Sequence, residues 1–88
     1  MENPDLIFGK ITKVIDYQNF DIEILTQLES NKIIYHSKER IKLLCSIGYL
    51  INHEIGKLLG ETIELLIVSR NSEGNLECIS GDIVEKAI

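Results

Sequence analysis

Arg40-Ile41-Lys42-Leu43-Leu44-Cys45-Ser46-Ile47-Gly48-Tyr49-Leu50-Ile51 is the stretch in which the chain changes period. Through Leu43, polar and apolar residues alternate, the two-residue repeat of a half-buried strand. Beyond Ser46, the residues Ile47, Leu50, Ile51, Ile55, Leu58 and Leu59 recur at helical spacing and form one apolar stripe. Ser46 suits an N-cap, and Gly60 suits the left-handed residue that ends a helix. Gly48 and Gly56 each weaken such a helix by ~1 kcal/mol relative to alanine, so docking must hold it.

Two more strands are expected before this junction. Residues 7–15 are rich in β-branched side chains and alternate from Gly9 onward. Gly9, Ile11, Lys13 and Ile15 would share one face, and Lys10, Thr12 and Val14 the other. Asp16-Tyr17-Gln18-Asn19 is a turn by its Asp and Asn. Phe20-Asp21-Ile22-Glu23-Ile24 alternates strictly and predicts a strand with an acidic outer face. Glu29-Ser30-Asn31-Lys32 is the next turn, and a third strand is expected within 33–45.

After the helical stretch, residues 62–69 predict a fourth strand and 76–80 a fifth. Asn71-Ser72-Glu73-Gly74-Asn75 between them is a glycine-containing hairpin loop. Asp82 followed by Glu85 has the form of a capping box opening a short terminal helix. Three strands, a helix, two strands and a short helix is the connectivity of a five-stranded oligonucleotide/oligosaccharide-binding (OB) barrel. Closing the sheet would bury the strand faces and leave few free edges.

The composition agrees with a mostly β globule comprising one domain over residues 1–88. Apolar residues are 44% and charged residues 26% of the chain, the balance of an ordinary soluble protein. No apolar run approaches the ~18 residues of a membrane span. The acidic start, Met1-Glu2-Asn3-Pro4-Asp5, lacks the basic segment of a secretory signal. Two cysteines suit a reducing compartment better than a disulfide scaffold, so a cytoplasmic location is expected. The formal net charge is −5. An acidic chain repels polyphosphates overall, which weakens nucleic-acid binding without excluding a local basic strip.

Several segments together resemble the staphylococcal nuclease-like domains. Lys13-Val14-Ile15-Asp16-Tyr17-Gln18-Asn19-Phe20 resembles their K-V-I-D-G-D-T-x opening, and Arg40-Ile41-Lys42-Leu43-Leu44 their R-V-R-L-I third strand. Leu58-Leu59-Gly60-Glu61-Thr62-Ile63-Glu64-Leu65 looks like their L-L-x-G-K-x-V-x-L lead-in to strand four. Gly74-Asn75-Leu76-Glu77-Cys78-Ile79 is similar to their G-R-x-L-A-x-V hairpin exit, one residue short. Gly81-Asp82-Ile83-Val84-Glu85-Lys86-Ala87-Ile88 resembles their G-x-x-V-N-x-x-L helix start. The resemblance covers nearly the whole chain, in order, and implies a nuclease-like OB barrel.

The same resemblance implies that the reaction centre is degenerate. Such nucleases cleave phosphodiesters with calcium, which requires carboxylate oxygens, an activated water and arginines to neutralise the phosphorane. The calcium-binding aspartate of the first turn falls on Gln18. Asp16 is retained but does not correspond to that ligand. No Asp or Glu occurs between Glu39 and Glu54, where the family has its I-D-x-P-E run. The third-strand arginine falls on Lys42, or on Arg40 with a slip of two; lysine lacks the bidentate fork. The hairpin arginine falls on Asn75. The expectation is a non-catalytic module without cofactor or metal, with protein interaction or self-association as its role. Weak single-stranded nucleic-acid binding is the alternative, and a residual calcium-dependent nuclease the outsider.

Lys38, Arg40 and Lys42 share one strand face and suit a phosphate track, with Tyr35 and Tyr49 as nearby stacking platforms. A solvated face paired with Asp21 and Glu23 is the plainer account. Cys45, Cys78, His36 and His53 match no paired zinc-ligand spacing, so two small buried thiols are expected instead. In an OB barrel Cys45 and Cys78 would stand on neighbouring strands. His53 and Glu54, adjacent in sequence, would not face each other on a helix. Tyr17, in place of the family's turn glycine, is either an exposed partner contact or a ring packed over the barrel mouth.

Overall fold

The structure is a computed structural model and describes residues 3–16, 18–44 and 58–84, with only the backbone of Asp82. Five strands run in the order β1 (Asp5–Val14), β2 (Asn19–Gln27), β3 (Lys38–Leu43), β4 (Thr62–Arg70) and β5 (Leu76–Ile83). They close into a barrel in the order β1-β2-β3-β5-β4, with β1 paired back to β4. All pairings are antiparallel except β3 with β5.

The apolar positions of the five strands meet inside. Ile7, Ile11, Phe20, Ile22, Ile41, Leu43, Ile63, Leu65, Ile67, Leu76 and Cys78 form one buried cluster, joined by Leu58. Gly9 is required on the inner face of β1. A Cβ there would stand 2.7 Å from Ile22 Cδ1 and 3.2 Å from the Glu23 carbonyl oxygen. Gly74 turns the β4–β5 hairpin with φ of 86°, a conformation costly to any residue with a Cβ. Asn71 Oδ1 completes that turn by accepting the Glu73 and Asn75 N–H groups at 3.0 Å.

Several expectations are corrected. The first strand does not keep one alternation to Ile15. The β1–β2 register shifts between Ile11 and Lys13, and Lys13 stands opposite Asp21 on the outer face. The extra residue, Thr12, flips the pattern, so Val14 packs on the core while Ile15 is exposed. The third strand is shorter than expected. Residues 33–36 are irregular, and the Asp5 and Glu39 carboxylates, rather than a ladder, accept the Ile33 and His36 N–H groups. The fifth strand is longer. Asp82 is not a helix cap: it pairs with Glu64 inside β5. The expected helices over 46–60 and 82–88 fall largely on residues outside those described. Gly60 does adopt the left-handed conformation, with φ of 86°.

Candidate functional site

The outer face of β1, β2 and β3 collects charge. On β3 the burial pattern alternates, so Lys38, Arg40 and Lys42 point outward together. The pairing register then sets Glu23 beside Lys38, Asp21 beside Arg40 and Asn19 beside Lys42. On the other side of β2, Lys10 stands opposite Glu23 and Lys13 opposite Asp21. Two rows result, Lys10–Glu23–Lys38 and Lys13–Asp21–Arg40. Among the described lysines and arginines, only Lys32 and Arg70 lie elsewhere.

The Arg40 guanidinium is engaged. Its Nε donates to Asp21 Oδ1 at 2.7 Å and its Nη2 to Oδ2 at 3.1 Å. That hydrogen bonding, with the charges of Arg40 and Lys13, holds the Asp21 carboxyl below its usual range despite partial burial. Arg40 is in turn raised by the same hydrogen bond. A shallow cavity of about 420 Å³ lies here, lined by Thr12, Asp21, Lys38, Glu39, Arg40 and Asn75. Lys10 and Lys13 were not singled out from sequence. The signal was the pair Thr12-Lys13 followed by Val14-Ile15, which breaks strict alternation.

The positions inherited from the nuclease resemblance are split. Gln18 is exposed, and its carbonyl accepts the Leu43 N–H at 2.7 Å, close to Lys42 on the same strand end. Asn75 instead lines the cavity with Arg40. Asp16 is used by the turn: its Oδ1 accepts the Gln18 and Asn19 N–H groups at 2.8 Å and the Asn19 amide at 2.9 Å. Those donors, first the Gln18 N–H and then the Asn19 amide, lower its carboxyl below the usual range.

At one end of the barrel, residues 28–37 form a strap held by side chains. The Asn31 amide pairs with Leu6 like a strand residue, donating to its carbonyl at 2.8 Å and accepting its N–H at 3.0 Å. Buried Asp5 accepts the Lys32 and Ile33 N–H groups and the Tyr35 hydroxyl, the last two at 2.9 Å. Burial would raise the Asp5 carboxyl, but these donors outweigh it and the carboxyl lies low. Glu39 faces inward, accepts the His36 N–H at 2.9 Å, and takes both Arg70 terminal nitrogens at 2.9 and 2.7 Å. Arg70 also donates to the Gly74 and Ile34 carbonyls at 2.7 and 2.8 Å. Burial raises Glu39, and the Arg70 and His36 donors more than reverse it.

These contacts decide other candidates. Tyr35 is half-buried against the core with its hydroxyl on Asp5; burial, then that bond, push its pKa well up. It is no open stacking platform. Cys78 lies fully buried and donates to the Ser80 carbonyl at 2.8 Å; burial raises its thiol to about 11. Such a thiol is unreactive at neutral pH. His36 sits exposed in the strap, and no cluster of three metal-ligating side chains occurs among the described residues. Cys45, Tyr17, Tyr49, His53 and Glu54 lie outside those residues. No helix among the described residues is long and apolar enough to cross a membrane.

No protein-family model, no curated protein and no solved structure matches the chain.

Proposed function

We propose that the chain is an OB-type barrel of the staphylococcal nuclease-like kind that binds without hydrolysing, and that its partner is a protein. The strand order β1-β2-β3-β5-β4, with β3 parallel to β5, supports the OB reading. One observation carries the rest: the strand arginine beside the degenerate positions is closed in a bidentate pair with Asp21. Asn75, which lines the cavity with Arg40, and Gln18, at the Leu43 end of β3, are neutral amides. Calcium-assisted hydrolysis needs carboxylates on the ion and an arginine fork on the phosphorane, and here Asp21 and Arg40 hold each other instead.

The β3 strip also suits nucleic acid less well than its sequence suggests. Arg40 is engaged, Glu23 opposes Lys38, and none of the described aromatic residues, Phe8, Phe20 and Tyr35, is exposed. Base stacking supplies much of single-strand affinity, so the lack of an exposed ring among the described residues supports a protein. The test is fluorescence anisotropy with a labelled single-stranded oligonucleotide at low salt. We expect no binding tighter than the ~10⁻⁴ M of weak non-specific contacts. Micromolar binding that falls steeply with salt would replace the protein with a nucleic acid as the partner.

A further inference from the structure

We infer that the outer face of β1, β2 and β3 docks an acidic segment of a protein partner. This rests on the protein-binding reading above and adds the surface and the chemistry it selects. The chain as a whole carries −5, yet on this face Lys10, Lys13, Lys38, Arg40 and Lys42 outnumber Asp21 and Glu23. The sign reverses at its borders. Glu77 on β5 stands beside Lys42, and Glu64 on β4 stands opposite Phe8 of β1. Cations are therefore gathered on β1 and β3, on either side of β2, in an otherwise acidic barrel. Such a patch steers an anionic partner to one place and one orientation.

The arrangement within the face separates protein from polyphosphate. Neighbouring strands are about 4.8 Å apart, so the basic columns of β1 and β3 flank the β2 carboxylates at roughly 10 Å from one another. A phosphate chain laid along either column carries unbroken negative charge beside Asp21 and Glu23. A polypeptide can set its acids over the two columns and leave uncharged residues over the middle. The four lysine ammoniums are point charges that accept single carboxylates without fork geometry. Asp21, held in place by Arg40, and Glu23 set carboxylates between the two columns and disfavour continuous negative charge there.

The experiment uses the full chain, a labelled decapeptide in which pairs of glutamates alternate with pairs of serines, and a single-stranded decathymidylate, each titrated at low and physiological salt. Amide chemical shifts report where each binds. The expected result is peptide binding that perturbs residues around Lys10, Lys13, Lys38 and Lys42 and weakens at least tenfold in K10Q/K13Q/K38Q/K42Q. Should that variant not fold, K10Q/K13Q and K38Q/K42Q are measured separately, and each is expected to weaken binding. Peptide binding elsewhere, or unchanged binding in folded variants, overturns the inference. Binding of neither probe overturns it too, while leaving a protein partner to another surface. Preference for decathymidylate on this face overturns both this inference and the protein-binding reading.

Discussion

Asp21 and Glu39 each hold an arginine in a two-point grip, and their surroundings make the two pairs unequal. The Arg40 side chain is 44% exposed and Asp21 27%, whereas Glu39 is 4% exposed. Water screens the first pair, so Asp21→Asn should cost under about 1 kcal/mol by denaturant melting. Glu39→Gln leaves Arg70 and the His36 N–H poorly matched inside the barrel end, and should cost about 3 kcal/mol. The outer pairing of Asp21 with a β3 cation is legible in the sequence, because strict alternation predicts facing strands; Glu23 stands beside Lys38 by register alone. Glu39 stands in the sequence only as an acid among basic residues. Its partner lies 31 residues away, at the far end of β4, and no local pattern reports such a contact.

The same carboxylates set the acid limb of stability. Asp5 and Glu39 both lie below their ordinary values of 3.8 and 4.5 in the folded chain. A depressed folded value means stability that is full above the unfolded value and lost as pH falls through the folded one. The melting temperature should therefore hold above about pH 5 and drop below it. In Asp5→Asn the melting temperature should start lower and fall less steeply with acid. A drop of the same steepness in that variant would show that Asp5 is not among the groups responsible.

Each element's length and twist depends on a few residues that break its own pattern. Gly9 lets β2 cross close over β1; Gly9→Ala should overpack Ile22 and cost about 1–3 kcal/mol. The bulge at Thr12 is what carries Lys13 to the outer face, and a bulge leaves only a weak trace in sequence. The strap over 28–37 carries apolar Ile33 and Tyr35, which alone would read as strand. It stays irregular because the Asp5 and Glu39 carboxylates accept its backbone N–H groups, while the Asn31 amide ties it to the Leu6 backbone. Asn31→Ala should speed amide exchange at Leu6, while exchange in β4 and β5 stays as before. Equal acceleration throughout would mean that the strap opens only with the entire barrel.

The barrel itself was the most legible feature, since five alternating segments in order leave few ways to bury their apolar faces. Strand limits were less legible: β5 runs past Asp82 because pairing with β4 outweighs a local capping signal. The candidate face was read only in part. Lys38, Arg40 and Lys42 were visible as one strand's outer side, but Lys10 and Lys13 join them only through closure and register. The proposed function is that of a barrel that binds without hydrolysing. Incubation of the full chain with single-stranded DNA, with calcium and then with a chelator, tests it most directly. No cleavage above the protein-free control is expected in either condition; cleavage that appears with calcium and vanishes with the chelator would contradict the account.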